Sequence, residues 1–252
     1  MPPPVKVRTR YALACVTAEP GRPDGRLLWL DGEEAGQVDL ADPRRLAFPY
    51  MRRIADAIDA FRPRGAAVTA VFLGGGAFAL PRYLAATRPG SRIEVHERDP
   101  GVVALAREHL GLRPGPLLRV RTGDAAELLP RRGDRSTDLV VCDAFDGPDV
   151  PAALAAPEFV AEVRRVLRPA GLYLLNVITT PPHDPLAEHL DALEAAFTHV
   201  AAIAPPKVLR HRAPGNAVLL GSAAPLPLVA LRRAAQAAVP REQLSARALS
   251  AA

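Results

Sequence analysis

Lysine is almost missing from this chain of 252 residues. Only Lys6 and Lys207 occur, so 30 of its 32 basic residues are arginines. Cysteine is equally scarce. Cys15 and Cys142 lie far apart in apolar segments, which excludes a disulfide scaffold and fits a reducing, cytoplasmic setting. Aromatic residues make up 5%, too few for a basic stripe interleaved with stacking rings. No apolar run approaches the roughly 18 residues of a membrane-spanning helix. Tyr11–Val16 is too short for the core of a signal peptide, and acid and proline follow it at once. What is present is 49% hydrophobic residues, enough for a packed core. The net charge of +5 does not imply a nucleic-acid partner. The arginines are scattered and set against acids, as in Arg107-Glu108 and Glu162 with Arg165, which describes a solvated surface.

The first forty residues read as a small β unit. Tyr11–Thr17 and Arg26–Trp29 are strand-like, and Asp31-Gly32 gives a hairpin turn before Gln37–Leu40. The proline-rich start is left without structure. Asp42-Pro43 predicts a helix start, Asp as cap and Pro at the first position. The pattern then alternates. Strands are expected at Val68–Leu73, Arg92–Glu97, Leu117–Thr122, Asp138–Cys142 and Leu172–Val177, with helices between them. That is the signature of an α/β doubly wound sheet. The runs His199–Ala204 and Asn216–Gly221 are joined by too short a link for a parallel crossover, so they pair antiparallel. An antiparallel last strand marks the class I S-adenosylmethionine-methyltransferase (Rossmann-like) fold. The expected organisation is an N-terminal β-hairpin unit over 1–45, a nucleoside-binding domain over 46–225, and a helical tail over 226–252 interrupted at Pro240.

Gly74-Gly75-Gly76 ends one strand and opens a helix. Glycines allow a tight turn and close approach to a ligand, and the helix start offers free N–H groups. Formally the segment fits G-x-G-x-x-A, so a dinucleotide is an alternative ligand. Glu97 ends the next strand, 21 residues past Gly76, a spacing that suits an acid on ribose hydroxyls, while Asp99 is placed to cap the next helix. Asp124 ends the third strand. It can accept from the adenine amine, with a neighbouring backbone N–H on a ring nitrogen, or cap the following helix. Asp143 and Asp146 follow the fourth strand and can steer an amine or serve as base. All these positions fall at the carboxyl edge of the sheet, where open α/β sheets bind ligands. His183 and Asn176 lie near the fifth strand's end and could line the same pocket.

In these segments the chain resembles the spermidine synthase family of polyamine aminopropyltransferases and the spermidine-synthase-like methyltransferases. The matching stretches are Leu73–Gly76, Val95–Pro100, Gly123-Asp124-Ala125, Asp143–Asp146 and Leu167–Gly171, in the family's order. The resemblance implies a cofactor, S-adenosylmethionine or its decarboxylated form. It places Gln37, Gly74, Gly75, Gly76, Glu97, Asp124 and Ala125 at that donor. It makes Asp143 the catalytic aspartate and Asp146 its partner in the acceptor pocket. It implies a small-molecule acceptor, an amine in the family's case, and by analogy a homodimer. The sequence departs from the family where aminopropyltransferases carry Asp after the three glycines, here Ala77. It departs again where their acceptor motifs give way to Asp42-Pro43 and Phe48-Pro49-Tyr50. These departures turn the expectation toward methyl transfer, with aminopropyl transfer the runner-up. An NAD-dependent oxidoreductase and a non-catalytic nucleoside-binding module are the readings from other classes.

Overall fold

The computed structural model describes residues 3–182, 184–238 and 242–248. The chain begins with four strands, β1 (Val5–Arg8), β2 (Leu13–Ala18), β3 (Gly25–Leu30) and β4 (Glu33–Asp39), paired antiparallel in that order. The β3–β4 turn is Asp31-Gly32, both at positive φ, the conformation a tight hairpin requires. The strand β1 was not expected. Its Val-Lys-Val-Arg alternation is short and follows prolines, but β2 supplies the pairing partner.

Helix α1 (Pro49–Phe61) starts later than Asp42-Pro43 predicts. Asp42 instead closes a turn by accepting from the Arg44 amide, and Asp39 Oδ1 accepts from the amides of Ala41 and Asp42. Pro49 takes the first helical position, where its missing N–H costs nothing. Ile54, Ala55 and Ile58 face the core as their spacing predicts.

Alternation follows: β5 (Thr69–Leu73), α2 (Ala79–Thr87), β6 (Arg92–Glu97), α3 (Pro100–His109), β7 (Leu118–Thr122), α4 (Ala125–Leu128), β8 (Thr137–Cys142), α5 (Ala152–Ala155), α6 (Pro157–Val166) and β9 (Leu167–Thr179). The chain continues with α7 (Leu186–Ala196), β10 (His199–Ala204), α8 (Pro206–Leu209), β11 (Gly215–Ser222), α9 (Leu228–Ala237) and β12 (Gln243–Ala248). The large sheet runs β12-β10-β11-β9-β8-β5-β6-β7. Strands β5 to β9 pair parallel, and β11 is antiparallel to both β9 and β10. This is the expected methyltransferase-type sheet with one strand added.

The added strand corrects the expected helical tail. After α9 the chain turns back, and β12 covers the open edge of β10, whose unpaired backbone groups otherwise lack partners. Pro240 lies outside the described residues.

Side chains alternate across the central strands. Ala70, Phe72, Leu139, Val141, Leu172 and Leu174 join the core beneath α1, α2, α3 and the small sheet. Val71, Leu73, Val140, Cys142, Tyr173 and Leu175 join the core beneath α6 and α7. Burial on both faces explains why these strands read as continuous apolar runs. In β5 and β8 it leaves polar residues only at the strand ends. Among the described residues no helix is long and apolar enough to cross a membrane.

Candidate functional site

Backbone hydrogen bonds stitch the strand tips together past their ends. The Gly74 amide donates to the His96 carbonyl, the Asp143 amide to Leu73 and the Gly123 amide to Glu97, each at 2.9 Å. The loops after β5, β6, β7 and β8 therefore leave the sheet side by side. Gly74 takes φ +92°, and a Cβ there would sit 2.4 Å from the Asp143 carbonyl oxygen. Only glycine lets these two loops approach so closely.

Glu97 leans back against the glycine loop. Its Oε2 accepts from the Gly75 amide at 2.8 Å and its Oε1 from the Asp99 amide at 2.8 Å. Burial pushes its carboxyl above the ordinary range, and the amide donors act against that shift. Asp99 caps α3 through the Gly101 amide, as expected, and Thr9 of the small sheet donates to its other oxygen. Asp124 caps α4 by accepting from the Ala126 amide, so the capping role is realised, and the residue is exposed.

The most developed polar cluster surrounds Asp143. Tyr50, in the first turn of α1, donates its hydroxyl to Oδ2 at 3.2 Å. Asn176, near the end of β9, donates its amide to Oδ1 at 2.8 Å. Asn216 on β11 in turn donates to the Asn176 side-chain oxygen at 3.2 Å. Burial raises the Asp143 pKa, and the two donors oppose the rise. The Tyr50 hydroxyl is pushed well above its ordinary value by burial and by Asp143, so it stays a donor. Phe48 stacks on Tyr50 with ring centroids 5.8 Å apart. Behind them Arg53 forms a buried ion pair with Glu242 and donates to the Asn216 carbonyl at 3.2 Å. The segment before β12 thus braces the helix that carries Tyr50.

Two expected site residues sit apart from this cluster. Asp146 lies in the exposed turn after Asp143 and pairs with Arg98 at 3.4 Å, while Arg98 stands over the Tyr11 ring. Gln37 lies near Glu19, whose carboxyl pKa is lowered chiefly by Arg45 and also by Gln37. Its neighbour Gly36 is the residue that meets the glycine loop, where a Cβ would come within 2.6 Å of the Ala77 Cβ. Successive strand residues point to opposite faces, so the Gln37 side chain leaves β4 on the face opposite that of Gly36. His183 lies outside the described residues.

Tyr50 and Asn216 were not singled out as site residues. Tyr50 stood in the sequence only as a departure from a known motif. Asn216 carried no signal until β11 was inserted next to β9.

No family model matches the chain. Polyamine aminopropyltransferase of Vibrio vulnificus strain CMCP6 is 31% identical over 153 residues, 59% of this chain and 50% of that protein. A probable spermidine synthase from Corynebacterium glutamicum superposes with a TM-score of 0.87 at 29% identity, covering 97% of this chain and 91% of that one. The chain is spermidine-synthase-like. It spans about half the length of that curated relative, whereas it matches the Corynebacterium structure nearly end to end. Human methyltransferase-like protein 13, solved in complex with SAH, shares the fold of this spermidine-synthase-like chain at TM-score 0.62 and 18% identity, covering 75% of this chain and 92% of that one.

Proposed function

We propose that this chain transfers a group from an S-adenosylmethionine-type sulfonium donor to a small nucleophile, with Asp143 as the base. The observation that carries the reading is the placement of a half-buried, doubly hydrogen-bonded aspartate whose backbone carbonyl lies directly against Gly74 of the donor loop. The residues present suit a nucleoside. Gly74, Gly75 and Gly76 leave the loop without side chains, Glu97 ends the neighbouring strand, and Asp124 and Ala125 begin the third loop.

A sulfonium donor supplies an electrophilic carbon with a good leaving group already attached. The acceptor's lone pair forms the new bond as the carbon–sulfur bond breaks, the electron pair remains on sulfur, and the acceptor's proton passes to Asp143. Tyr50 and Asn176 hold the carboxylate in one orientation, so that little reorganisation accompanies the transfer. The raised pKa suits this role, because a base nearer neutrality accepts a proton more effectively.

Methyl is the favoured group. By resemblance, position 77 is where aminopropyltransferases bind the amine of a decarboxylated donor. Here Ala77 is buried against Gly36, with no carboxylate. Aminopropyl transfer is the second reading, favoured by the names of the relatives above. Incubation with each donor and a panel of amines, read by mass spectrometry, separates the two. S-adenosylhomocysteine as product supports methyl transfer. Methylthioadenosine supports aminopropyl transfer. Failure of both S-adenosylhomocysteine and methylthioadenosine to bind would overturn both.

A further inference from the structure

Charge is unevenly spent along the carboxyl edge of the sheet. Among the described residues the carboxylates there are already engaged. Asp143 takes Tyr50 and Asn176, Glu97 takes backbone amides, Asp124 caps α4, and Asp146 pairs with Arg98. Asp184, after β9, pairs with His211 and accepts from the Leu186 amide, and Asp149 acts on His189. The opposite holds for the arm joining β10 to β11. Lys207, Arg210 and Arg212 are exposed there and have no carboxylate partner among the described residues.

Topology places this arm beside the base. Ala204 ends β10 at the same edge as Thr179 ends β9, and Gly215 pairs with Thr179. The Asp184–His211 contact fastens the arm to the segment after β9. The Arg212 amide donates to the Lys207 carbonyl at 2.8 Å, which folds the arm that carries the three cations into a closed turn. Arg212 is four residues from Asn216, at most about 14 Å of backbone, and Asn216 leads through Asn176 to Asp143.

We infer that Lys207, Arg210 and Arg212 form an anion subsite, so that the acceptor carries its nucleophile at Asp143 and a carboxylate or phosphate at its far end. This rests on the transferase reading and narrows its acceptor. A diamine would bring a second ammonium toward three cations that have no carboxylate partner among the described residues, and like charges brought together are disfavoured. An amino acid with a separated carboxylate satisfies both ends. Arginine is suited to the task, since its planar fork bonds carboxylate and phosphate oxygens in pairs.

The test uses calorimetry on the full chain saturated with S-adenosylhomocysteine. The probes are 5-aminopentanoate and cadaverine, of equal carbon count and differing at one end. Tighter binding of 5-aminopentanoate by at least about tenfold is expected, with an Arg210→Glu/Arg212→Glu variant losing that preference. Tm of the variant checks that it folds. An aminoalkyl phosphate, run alongside, shows which anion is preferred. Equal or tighter binding of cadaverine, no binding of either probe or of the phosphate, or an unchanged preference in the variant overturns the inference. S-adenosylhomocysteine binding, measured first, decides the underlying transferase reading separately.

Discussion

The side-chain amide of Asn176 lies 2.8 Å from Oδ1 of Asp143, bridging the tips of two neighbouring parallel strands. The contact does two things. It fixes which way the carboxylate points, and it holds down a pKa that burial pushes up. Asp143→Asn keeps the shape of the cluster but removes the proton acceptor. Turnover is expected to fall by about 10²–10⁴-fold, with S-adenosylhomocysteine affinity unchanged by calorimetry.

Asn176→Ala should act differently. Losing a hydrogen bond to a charged group costs about 1.5–3 kcal/mol, all of it against the ionised form of Asp143. The folded pKa therefore rises further. Since the base works ionised, the acidic limb of the kcat/KM profile moves to higher pH. A profile that drops in height without moving along the pH axis would assign Asn176 to packing alone.

Glu97 presents one oxygen to the Gly75 amide and the other to the Asp99 amide. A glutamine offers only one oxygen, so Glu97→Gln leaves one amide facing an N–H. The donor loop should loosen, and S-adenosylhomocysteine affinity is expected to fall roughly 10–100-fold, at about 1.5–3 kcal/mol per charged hydrogen bond. Unchanged affinity would remove Glu97 from the donor site.

Glu94, on the same strand, serves stability. His96, Arg132 and Arg121 surround it and hold its carboxyl down to about 2 from its ordinary 4.5. A lowered folded pKa means that the contribution is present above the unfolded value and is lost as pH falls from about 4.5 toward 2. Glu94→Gln should lower Tm at pH 7, and the gap to the parent should close as pH drops through that window. Thermal denaturation at pH 7, 5 and 3 measures it.

The Ala77 Cβ and the backbone of Gly36 are in close contact. Ala77→Asp introduces the aminopropyltransferase residue where a carboxylate has neither room nor partner. Overpacking of about 1–3 kcal/mol, with the burial of a charge added, should lower Tm by several degrees. A variant that is equally stable and accepts decarboxylated donor would show that the two sheets can part.

Much of this was legible in the sequence because the central strands are buried on both faces. Their apolar runs and the glycine triplet announce the sheet and the edge that carries the candidate site. The antiparallel β10–β11 pair followed from the length of one link. What stayed hidden depends on tertiary neighbours. Asp42-Pro43 has the chemistry of a helix start, yet Asp39 draws its amides into a turn and Pro49 begins the helix instead. Gln37 carries no mark of which face of β4 it occupies. Gln243–Ala248 looks unremarkable until the exposed rim of β10 gives it a place. Asn216 lines up with Asn176 only after a strand distant in sequence has been inserted between two others.

The bond between Arg53 and Glu242 has a bearing on how the molecule is made. During synthesis α1 emerges early, but its buried guanidinium finds its counter-ion nearly two hundred residues later. A nascent chain still lacking that stretch holds an unmatched cation beneath Tyr50 and an unzipped rim on β10. Shortening the polypeptide by a dozen residues is therefore expected to loosen the support beneath Tyr50 while leaving Tyr50, Asn176 and Asp143 themselves in the chain.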